Sequence, residues 1–532
     1  MSLQELIPLP HLTLLTLLAL LSAVFILIAA GISRSKRGNW AHLPPGPAAM
    51  PLVGNLFQLP WKDLPRSFAA QSHYYGPLYY MRIINRHFVA INSLELAQAL
   101  FDKRGATYSH RPRMVMAQEI IKRDTMLFMN YGPEFTKSRR LISTFLNQKI
   151  ASKYWPAQEI ESLKFVLSVR RTPADVLELT RWTATSLIIR LLYGIEVKDK
   201  EDPLVHLAED FARLTSESTK PGKWLVDSFP SLRHVPAWLP GAGFKRWAKY
   251  AKARMEEFSW LPYTIVKNNI AAGRITACWT AEKLLEKTEP LTAQEEKDIR
   301  HAATSIYSAP YPITFFTDAG GSDTTPAMIC TFILLMLRNP SVQKKAQEEI
   351  DRVTGGTWVP GMQDCEMFPY VNCVIKELFR FNPAVPLVPH SLQEDDFFEG
   401  YFIPKGTWVM ANMWGFMHDE TRYPDPDLFS PERFEIGEGK QPQDDPLEIV
   451  FGFGRRSCPG YLLALSSVYL NVIHLLFAFD IVPAKDAKGQ EIIPPVEFGD
   501  AHVSHPKPFV CDIRERDPER IIWLEHALQS LQ

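Results

Sequence analysis

The hydrophobic and polar positions repeat with a helical period over most of the chain. Amphipathic or continuously apolar runs predict helices at residues 131–146, 341–353, 370–381 and 461–479. Shorter stretches rich in β-branched and aromatic residues predict strands at 78–84 and 87–91 and strand-like structure around 401–410, with a turn at 404–406. The pattern therefore indicates a mainly α-helical protein with a smaller β part.

The first long apolar run covers residues 12–32, which as a helix would be about 30 Å long and would span a bilayer core. It predicts one N-terminal transmembrane helix. A cleaved signal peptide is the alternative, but the residues before the run include Glu5 and no lysine or arginine. Because Arg34, Lys36 and Arg37 follow the run, the positive-inside rule places the rest of the chain in the cytosol.

We expect three parts along the chain. A membrane anchor over residues 1–33 is followed by a basic and proline-rich hinge over 34–50, whose prolines cannot continue the helix. A proline-rich interaction motif is the other interpretation of this hinge. Residues 51–532 form a single globular domain. Within it, residues 221–244 are rich in proline, glycine and apolar side chains, and they predict a loop region.

Composition and charge narrow the classes of protein that fit. The chain has 532 residues, 46% of them hydrophobic, which is enough for a large core. Its formal net charge of −1 and its lack of long runs of like charge give no reason to expect nucleic acid as a partner. Six cysteines are few for this length, so we expect a reducing compartment and no structural disulfides.

One cysteine stands in a glycine-bounded loop late in the chain. Residues 451–460 read Phe-Gly-Phe-Gly-Arg-Arg-Ser-Cys-Pro-Gly. The thiolate of Cys458 is a soft metal ligand, the glycines allow close backbone approach to a flat group, and arginine suits an anion. A buried structural cysteine is the alternative for Cys458. A dinucleotide loop does not fit because Ser457 stands where the third glycine belongs, and no second cysteine or histidine has zinc-finger spacing.

The pattern F-x-x-G-x-R-x-C-x-G resembles the haem-binding signature of the cytochrome P450 family. The resemblance implies that Cys458 ligates the haem iron and that Phe451, Gly454, Arg456 and Gly460 bind the cofactor.

Two further positions match residues that hold the haem propionates in this family. Arg139 stands at the arginine of a Trp-x-x-x-Arg pair, although Phe135 replaces the tryptophan and one hydrogen-bond donor is missing. His390 matches the second position. From the residues alone, a solvated helical arginine and a solvated loop histidine are the default interpretations.

The resemblance also implies structural and substrate-binding residues. Glu377 and Arg380 lie one helical turn apart, a spacing that is usually only a weak surface ion pair. In the family the equivalent pair is buried and joins an arginine that corresponds to Arg433. The residues expected to line the substrate pocket are Val385, Leu387, Val388, Phe498 and Val503.

Residues 321–325, Gly-Ser-Asp-Thr-Thr, resemble the oxygen-activating segment of the family. Asp323 and Thr324 could pass protons to bound oxygen, whereas a helix N-cap is the ordinary interpretation of such residues. Residues 310–320 interrupt the pattern with two prolines, which deny a continuous helix. We hypothesise that this interval is an insertion, from a gene segment normally left untranslated; a transcript joining residue 309 directly to 321 would support that.

Together these matches imply a P450 fold and a membrane-anchored haem-thiolate monooxygenase similar to fungal members of secondary metabolism. The cofactor would be haem b, with electrons from an NADPH-dependent cytochrome P450 reductase, and the enzyme would insert one oxygen atom from dioxygen into a small apolar organic substrate. The expected location is the endoplasmic reticulum membrane, single-pass, with contact to lipid and a cytosolic catalytic domain. The alternatives are a haem-thiolate isomerase or dehydratase, or a non-catalytic haem protein disabled by the insertion.

Overall fold

The structure is a computed structural model that describes residues 38–59, 62–198, 201–220, 222–308, 324–437, 439, 441–499 and 502–532, together with positions 16 and 22. The predicted anchor therefore lies outside the described residues, apart from those two positions. So do the interval 310–320 and one predicted proton-transfer residue, Asp323.

Helices account for most of the described chain. In chain order the α-helices are α1 (Leu64–Tyr75), α2 (Leu94–Gln98), α3 (Gly105–Tyr108), α4 (Pro133–Ser143), α5 (Gln148–Ala151), α6 (Trp155–Arg171), α7 (Val176–Tyr193), α8 (Pro203–Thr219), α9 (Leu225–Ser228), α10 (Gly243–Ala271), α11 (Trp279–Leu285), α12 (Ala293–Ser308), α13 (Thr324–Arg338), α14 (Pro340–Thr354), α15 (Pro369–Phe381), α16 (Met413–Met417), α17 (Leu447–Val450), α18 (Tyr461–Ala478) and α19 (Pro518–Leu531). Two π-helical turns, Ala99–Lys103 and Val115–Ile120, flank α3.

The strands form small sheets at the edge of the helical body. They are β1 (Leu78–Ile83), β2 (Arg86–Ile91), β3 (Leu387–Ser391), β4 (Asp396–Phe398), β5 (Tyr401–Ile403), β6 (Trp408–Asn412), β7 (Phe479–Lys485), β8 (Glu491–Ile492) and β9 (Cys511–Glu515). The largest sheet has the order β1-β2-β6-β3, in which β2 and β6 are parallel and the other pairs antiparallel. The predicted mainly α architecture with a smaller β part is confirmed.

Proline marks the starts of the predicted helices. In α4, α14 and α15 a proline occupies the first turn, where its missing N–H would have no helical partner in any case. Each of these helices begins or ends within three residues of the bounds that the sequence predicts. Helix α15 ends just before Asn382 and Pro383, because the residue before a proline is disfavoured in helical conformation.

The predicted loop over residues 221–244 contains helical structure. Helix α9 and the 3₁₀ turn Pro230–His234 lie within it. The indole N–H of Trp224 donates to the carbonyl of Glu217 at 2.7 Å, and Val226 is buried. The apolar residues of this segment therefore pack partly inward, which allows a helical turn to form where composition alone indicated a loop.

The most apolar helix of the described chain is α18. It has the length and hydropathy of a membrane span, and the bent pair of α13 and α14 passes the same test as a pair, by length and composition only. However, 72% of α18 is buried inside the protein, where it packs against α6, α13 and α14. Burial of this kind is typical of a core helix in a large domain.

Candidate functional site

The cysteine loop is closed by a backbone hydrogen bond. The N–H of Cys458 donates to the carbonyl of Phe451 at 2.7 Å, and the 3₁₀ turn Gly454–Arg456 lies between them. The ring of Phe451 packs against Phe379 and Tyr461, with centroids 5.6 and 5.9 Å away. Cys458 is thus held at the start of the core helix α18.

Gly454 occupies a place in this loop that no other residue fits. Its φ is +49°, and a Cβ atom there would lie 2.4 Å from the carbonyl oxygen of Phe101. Phe101 in turn stacks on Phe453 and packs against the tilted ring of His390, with centroids 6.0 and 4.2 Å away. The glycine therefore brings the cysteine loop against the π-helical turn that contains Phe101.

The surroundings of Cys458 act on its thiol in opposite directions. Burial raises the pKa of Cys458, while the backbone hydrogen bond from Gly460 and the positive charge of Arg139 offset part of that rise. Arg139 also donates from Nη2 to the carbonyl of Ser457 at 2.8 Å. The predicted cofactor residue on α4 is thus in direct contact with the residue that precedes the cysteine.

Arg456 joins the cysteine loop to a segment far away in sequence. Its Nε donates to the carbonyl of Ser109 at 2.8 Å, Nη1 to Met126 at 3.1 Å and Nη2 to Met129 at 2.5 Å. Its guanidinium lies 3.8 Å from the ring centroid of Phe135. The phenylalanine at the expected tryptophan position therefore serves as a stacking surface for this arginine.

Three arginines come together beside the cysteine loop without an ion-pair partner among the described residues: Arg111, Arg139 and Arg456. Burial, together with the charges of Arg111 and Arg139, lowers the pKa of Arg456 to about 8. Arg111 donates to the carbonyl of Pro389 at 2.6 Å, yet its buried Nε has no hydrogen-bond partner in the described chain. Sequence reasoning missed Arg111, because a single loop arginine carries no signal of burial.

This unbalanced positive charge fits a dianionic group. Placing several partly buried cations together is unfavourable unless an anion neutralises them. The two propionates of a haem would supply that charge, and Cys458 supplies the thiolate that such a cofactor requires. The residues present therefore fit haem b.

His390 lies on β3 and is buried. Its Nδ1 is 2.8 Å from the carbonyl of Tyr108, so in the neutral ring Nδ1 carries the hydrogen and Nε2 is an acceptor. Burial, followed by the charges of Arg111 and Arg456, lowers the pKa of His390 well below its ordinary value. Because Nε2 of this neutral ring carries no hydrogen, the arginines are the hydrogen-bond donors for a propionate. Direct contact between His390 and a propionate stays a prediction.

The structure brings Glu377, Arg380 and Arg433 together. Arg380 donates to both oxygens of Glu377, at 2.6 and 2.9 Å, and Nε of Arg433 lies 3.4 Å from the same carboxylate. Arg380 also donates to the carbonyl of Met417 at 2.9 Å. The backbone N–H of Ser430 adds a further bond to Glu377 at 2.8 Å. Glu377 and Arg380 are fully buried, unlike an ordinary surface pair.

The predicted pocket residues lie on two neighbouring segments, since the N–H of Ser504 donates to the carbonyl of Ala384 at 2.9 Å. Residues Leu387 and Val503 are buried, whereas the other three are half-buried: Val385, Val388 and Phe498. Thr324 is half-buried and is the first residue of α13. Its predicted partner lies outside the described residues.

Comparison with known proteins gives consistent matches over nearly the whole chain. A sequence model described as Cytochrome P450 matches residues 44–511. Cytochrome P450 monooxygenase claR of Ampulloclitocybe clavipes is 37% identical over 518 residues, which cover 96% of this chain and 93% of that protein. Cytochrome P450 monooxygenase 208 of Postia placenta is 37% identical over 489 residues, covering 91% and 92% of the two chains. Cytochrome P450 monooxygenase 176 of the same fungus is 38% identical, covering 89% and 90%.

Proposed function

Since this chain belongs to the cytochrome P450 family and is a monooxygenase, we propose that it inserts one oxygen atom from dioxygen into an apolar organic substrate at a haem held by Cys458. The observation that carries the proposal is the closed cysteine loop beside Arg111, Arg139 and Arg456, which lack an ion-pair partner in the described chain. The family uses haem b and takes electrons from NAD(P)H through a reductase.

The chain's own residues would hold the cofactor from two sides. Cys458 would ligate the haem iron, and its thiolate would donate electron density toward that metal. Arg111, Arg139 and Arg456 would neutralise the propionates, while Gly454 and Gly460 would allow the loop backbone to lie close to the cofactor. When bound, haem b supplies the oxygen chemistry that no side chain can perform.

Proton delivery is assigned to the start of α13. Thr324 is half-buried there, and we assign its hydroxyl to exchange protons with solvent through water. We assign Asp323, which precedes it in the sequence, as the acid that supplies those protons. The pocket that positions the substrate is assigned to Val385, Leu387 and Val388 and to the segment around Phe498 and Val503.

Glu377, Arg380 and Arg433 are assigned a supporting role. Their ion pairs link α15 to the 3₁₀ turn Pro431–Phe434, which precedes the cysteine loop in the chain. Two alternatives, a haem-thiolate isomerase or dehydratase and a non-catalytic haem protein, are not favoured, because the relatives reported above are monooxygenases.

An NADPH-dependent cytochrome P450 reductase is the electron donor that we propose. It would dock on the exposed Arg140 of α4 and the exposed Arg455 of the cysteine loop. Lys137 is a weaker candidate for this contact, because its ammonium group lies 2.6 Å from the carboxylate of Asp298. An acidic partner surface would have to compete with that internal ion pair.

Contact with lipid is proposed for an exposed apolar surface, formed by Leu52, Phe57, Leu225, Phe229 and Trp238. Its two segments flank the turn between β1 and β2, where Asn85 donates to the carbonyl of Ser228 at 2.8 Å. Exposed apolar side chains in one region are typical of membrane or protein contacts. With an anchor over residues 1–33, a hinge over 34–50 and a catalytic domain over 51–532, this arrangement suits a single-pass protein on the cytosolic side of the endoplasmic reticulum.

The test is a Cys458→Ser variant of the full-length protein. We expect it to lose the absorption signature of thiolate ligation in the reduced, carbon monoxide-bound state and to lose reductase- and dioxygen-dependent turnover. Cys365→Ser, in a 3₁₀ turn away from the cysteine loop, is the matched control and should retain both. A wild-type spectrum without the thiolate signature, or a Cys458→Ser variant that keeps it, would overturn the proposal.

A further inference from the structure

Arg123 is a buried cation that the mechanism above does not use. It lies between the π-helical turn Val115–Ile120 and α4, and it is only 7% exposed. Its Nε and Nη2 have no hydrogen-bond partner in the described chain. Nη1 has only a weak contact, 3.5 Å from the thioether sulfur of Met255. This guanidinium therefore retains unused donors in an interior position.

The surroundings of Arg123 are apolar. Its guanidinium carbon lies 4.5 Å from the ring centroid of Phe211 and 5.4 Å from that of Phe128. Together with Met255 on α10, these rings form a cage around the charge. Aromatic faces attract a cation, but they do not satisfy its N–H donors.

The neighbouring acid is committed elsewhere. Asp124 is half exposed and pairs with two residues of α12, His301 at 3.1 Å and Lys297 at 3.6 Å. The hydroxyl of Thr125, two residues beyond Arg123, is also buried and has no hydrogen-bond partner in the part of the chain described. Polar groups of both residues are thus buried at one place without a hydrogen-bond partner among the described residues.

This place adjoins the candidate haem site. Met126, three residues after Arg123, donates its N–H to the hydroxyl of Ser305 on α12 at 3.1 Å and accepts from Arg456 at 3.1 Å. Phe211, which packs on Arg123, also lies 6.0 Å from the ring of Tyr307 near the end of α12. Arg123 therefore lies where α8, α10 and α12 converge on the segment bound to the cysteine loop.

The charge of Arg123 persists in these surroundings. Burial lowers its pKa to about 10, although the negative charge of Asp124 offsets part of that effect, so the side chain remains protonated at neutral pH. A buried cation is unfavourable unless an anion with hydrogen-bond acceptors compensates it. In the described chain no such acceptor binds Nε or Nη2, and this edge of the guanidinium matches the two oxygens of a carboxylate.

We propose that Arg123 is a specificity-determining residue that binds a carboxylate on an otherwise apolar substrate. The inference rests on the proposed function and refines its substrate class from an apolar molecule to an amphipathic acid. Two parallel N–H···O bonds would fix the acid group, and Phe128 and Phe211 would pack against the adjoining hydrocarbon. The acid end would thereby determine which distant carbon of the substrate reaches the haem.

The test compares acids with their methyl esters on the full-length, haem-loaded protein. The probes are dodecanoate and 4-hexylbenzoate, each paired with its ester, and Kd is read from the change in haem absorbance. In the wild-type protein we expect each acid to bind about tenfold to a hundredfold more tightly than its ester, as a buried charge-assisted pair would give. Arg123→Met should abolish this ratio by weakening only the acid, and Arg123→Lys should keep part of it.

Arg113→Gln is the matched control, because Arg113 is an exposed arginine of the same segment that pairs with Glu119 at 2.7 Å. It should leave the ratio of acid to ester affinity unchanged. Without ligand, Arg123→Met should melt at the wild-type temperature or above it, since it removes a buried charge whose Nε and Nη2 have no hydrogen-bond partner in the described chain. A large fall in melting temperature would instead give Arg123 a structural role and overturn the proposal.

Equal affinities of acid and ester in the wild-type protein, binding of neither acid, or a ratio that survives in Arg123→Met would also overturn it. The rise in melting temperature that each probe causes gives a second measure of the ratio of acid to ester affinity. Unlike haem absorbance, this measure does not depend on thiolate ligation. Failure of the proposed function, seen as a missing thiolate signature, is therefore distinguishable from failure of the acid site.

Discussion

Individual residues of the cysteine loop connect parts of the chain that are more than three hundred positions apart. Arg456 binds the carbonyls of Ser109, Met126 and Met129, and Gly454 allows the loop to touch the carbonyl of Phe101. The contacts of Arg456 are made to backbone carbonyls, and the contact of Gly454 is possible because glycine has no side chain. The position of the cysteine therefore depends on close backbone approach as much as on side-chain packing.

Gly454→Ala tests this dependence. An alanine at this position would have to keep φ +49°, which costs a non-glycine residue about 1–2 kcal/mol. Its Cβ would also lie 2.4 Å from the carbonyl oxygen of Phe101, so the loop would have to shift. We expect the free energy of unfolding to fall by about 3 kcal/mol in total and the haem content to decrease.

The control is Gly489→Ala, where φ is +79° but no atom lies within 4 Å of the added Cβ. Urea denaturation should show only the conformational cost there, about 1–2 kcal/mol. Equal losses in the two variants would show that the contact with Phe101 does not constrain the loop.

Among individual residues, the sequence predicts the function of those that belong to a short contiguous motif. Cys458 and its glycines stand in a contiguous pattern and could be found from ten residues. Arg111 and Arg123 could not, because their burial depends on helices and carbonyls brought from elsewhere in the chain. A lone arginine in a polar loop is ordinarily solvated, and only the fold shows otherwise.

Among the elements, α15 is held by an internal ion pair. The carboxylate of Glu377 accepts two hydrogen bonds from Arg380, one from the N–H of Ser430 and a longer contact from Arg433. Such a network fixes the helix relative to the turn Pro431–Phe434, which adjoins it. Both charges are desolvated, and the free energy that this costs offsets the attraction between them. The contribution of the ion pair to geometry is therefore distinct from its contribution to net stability.

Substitutions of the pair separate these two contributions. Arg380→Met leaves Glu377 as a buried carboxylate with a weakened network, which costs about 3–5 kcal/mol. The double variant Glu377→Leu with Arg380→Met removes both charges, and we expect it to be more stable than Arg380→Met alone. Urea unfolding measures both. A double variant that loses the sum of the two single effects would contradict this coupling.

Helices and strands with strong periodicity were predictable to within a few residues, since prolines mark the starts of α4, α14 and α15. Helix α9 was not, because its four residues are stabilised by tertiary contacts such as the burial of Val226. Short helices depend on packing rather than on propensity, so composition alone gives a loop.

Across the whole molecule, several histidines are buried in neutral form. In α18, Nε2 of His474 donates to the carbonyl of Pro360 at 2.9 Å and Nδ1 accepts from Ser162 at 2.8 Å. Burial lowers the pKa of His474 to about 4 and that of His502 and His418 to about 3. These pKa values lie below that of an unfolded histidine, so the unfolded chain binds protons first as pH falls.

The contribution of these buried histidines to the free energy of unfolding should therefore be fully present above about pH 6.5, and it should decrease as the pH falls toward 4. For His474 alone the loss between pH 7 and pH 5 is about 2 kcal/mol. In His474→Gln, whose amide can still donate and accept, the difference in unfolding free energy between these pH values should be smaller by that amount. The same pH dependence in both proteins would exclude a neutral, buried His474 as the cause.

The bonds from Arg456 to residues 109, 126 and 129 have a consequence for engineering. If the segment over residues 109–129 were replaced by that of a relative to alter substrate choice, its backbone carbonyls would lie at different positions. Arg456 would then lose hydrogen-bond acceptors. Chimeras of this segment should then fail first by losing haem, before any change in selectivity can be scored. Libraries built here would need a screen for haem retention ahead of the screen for product.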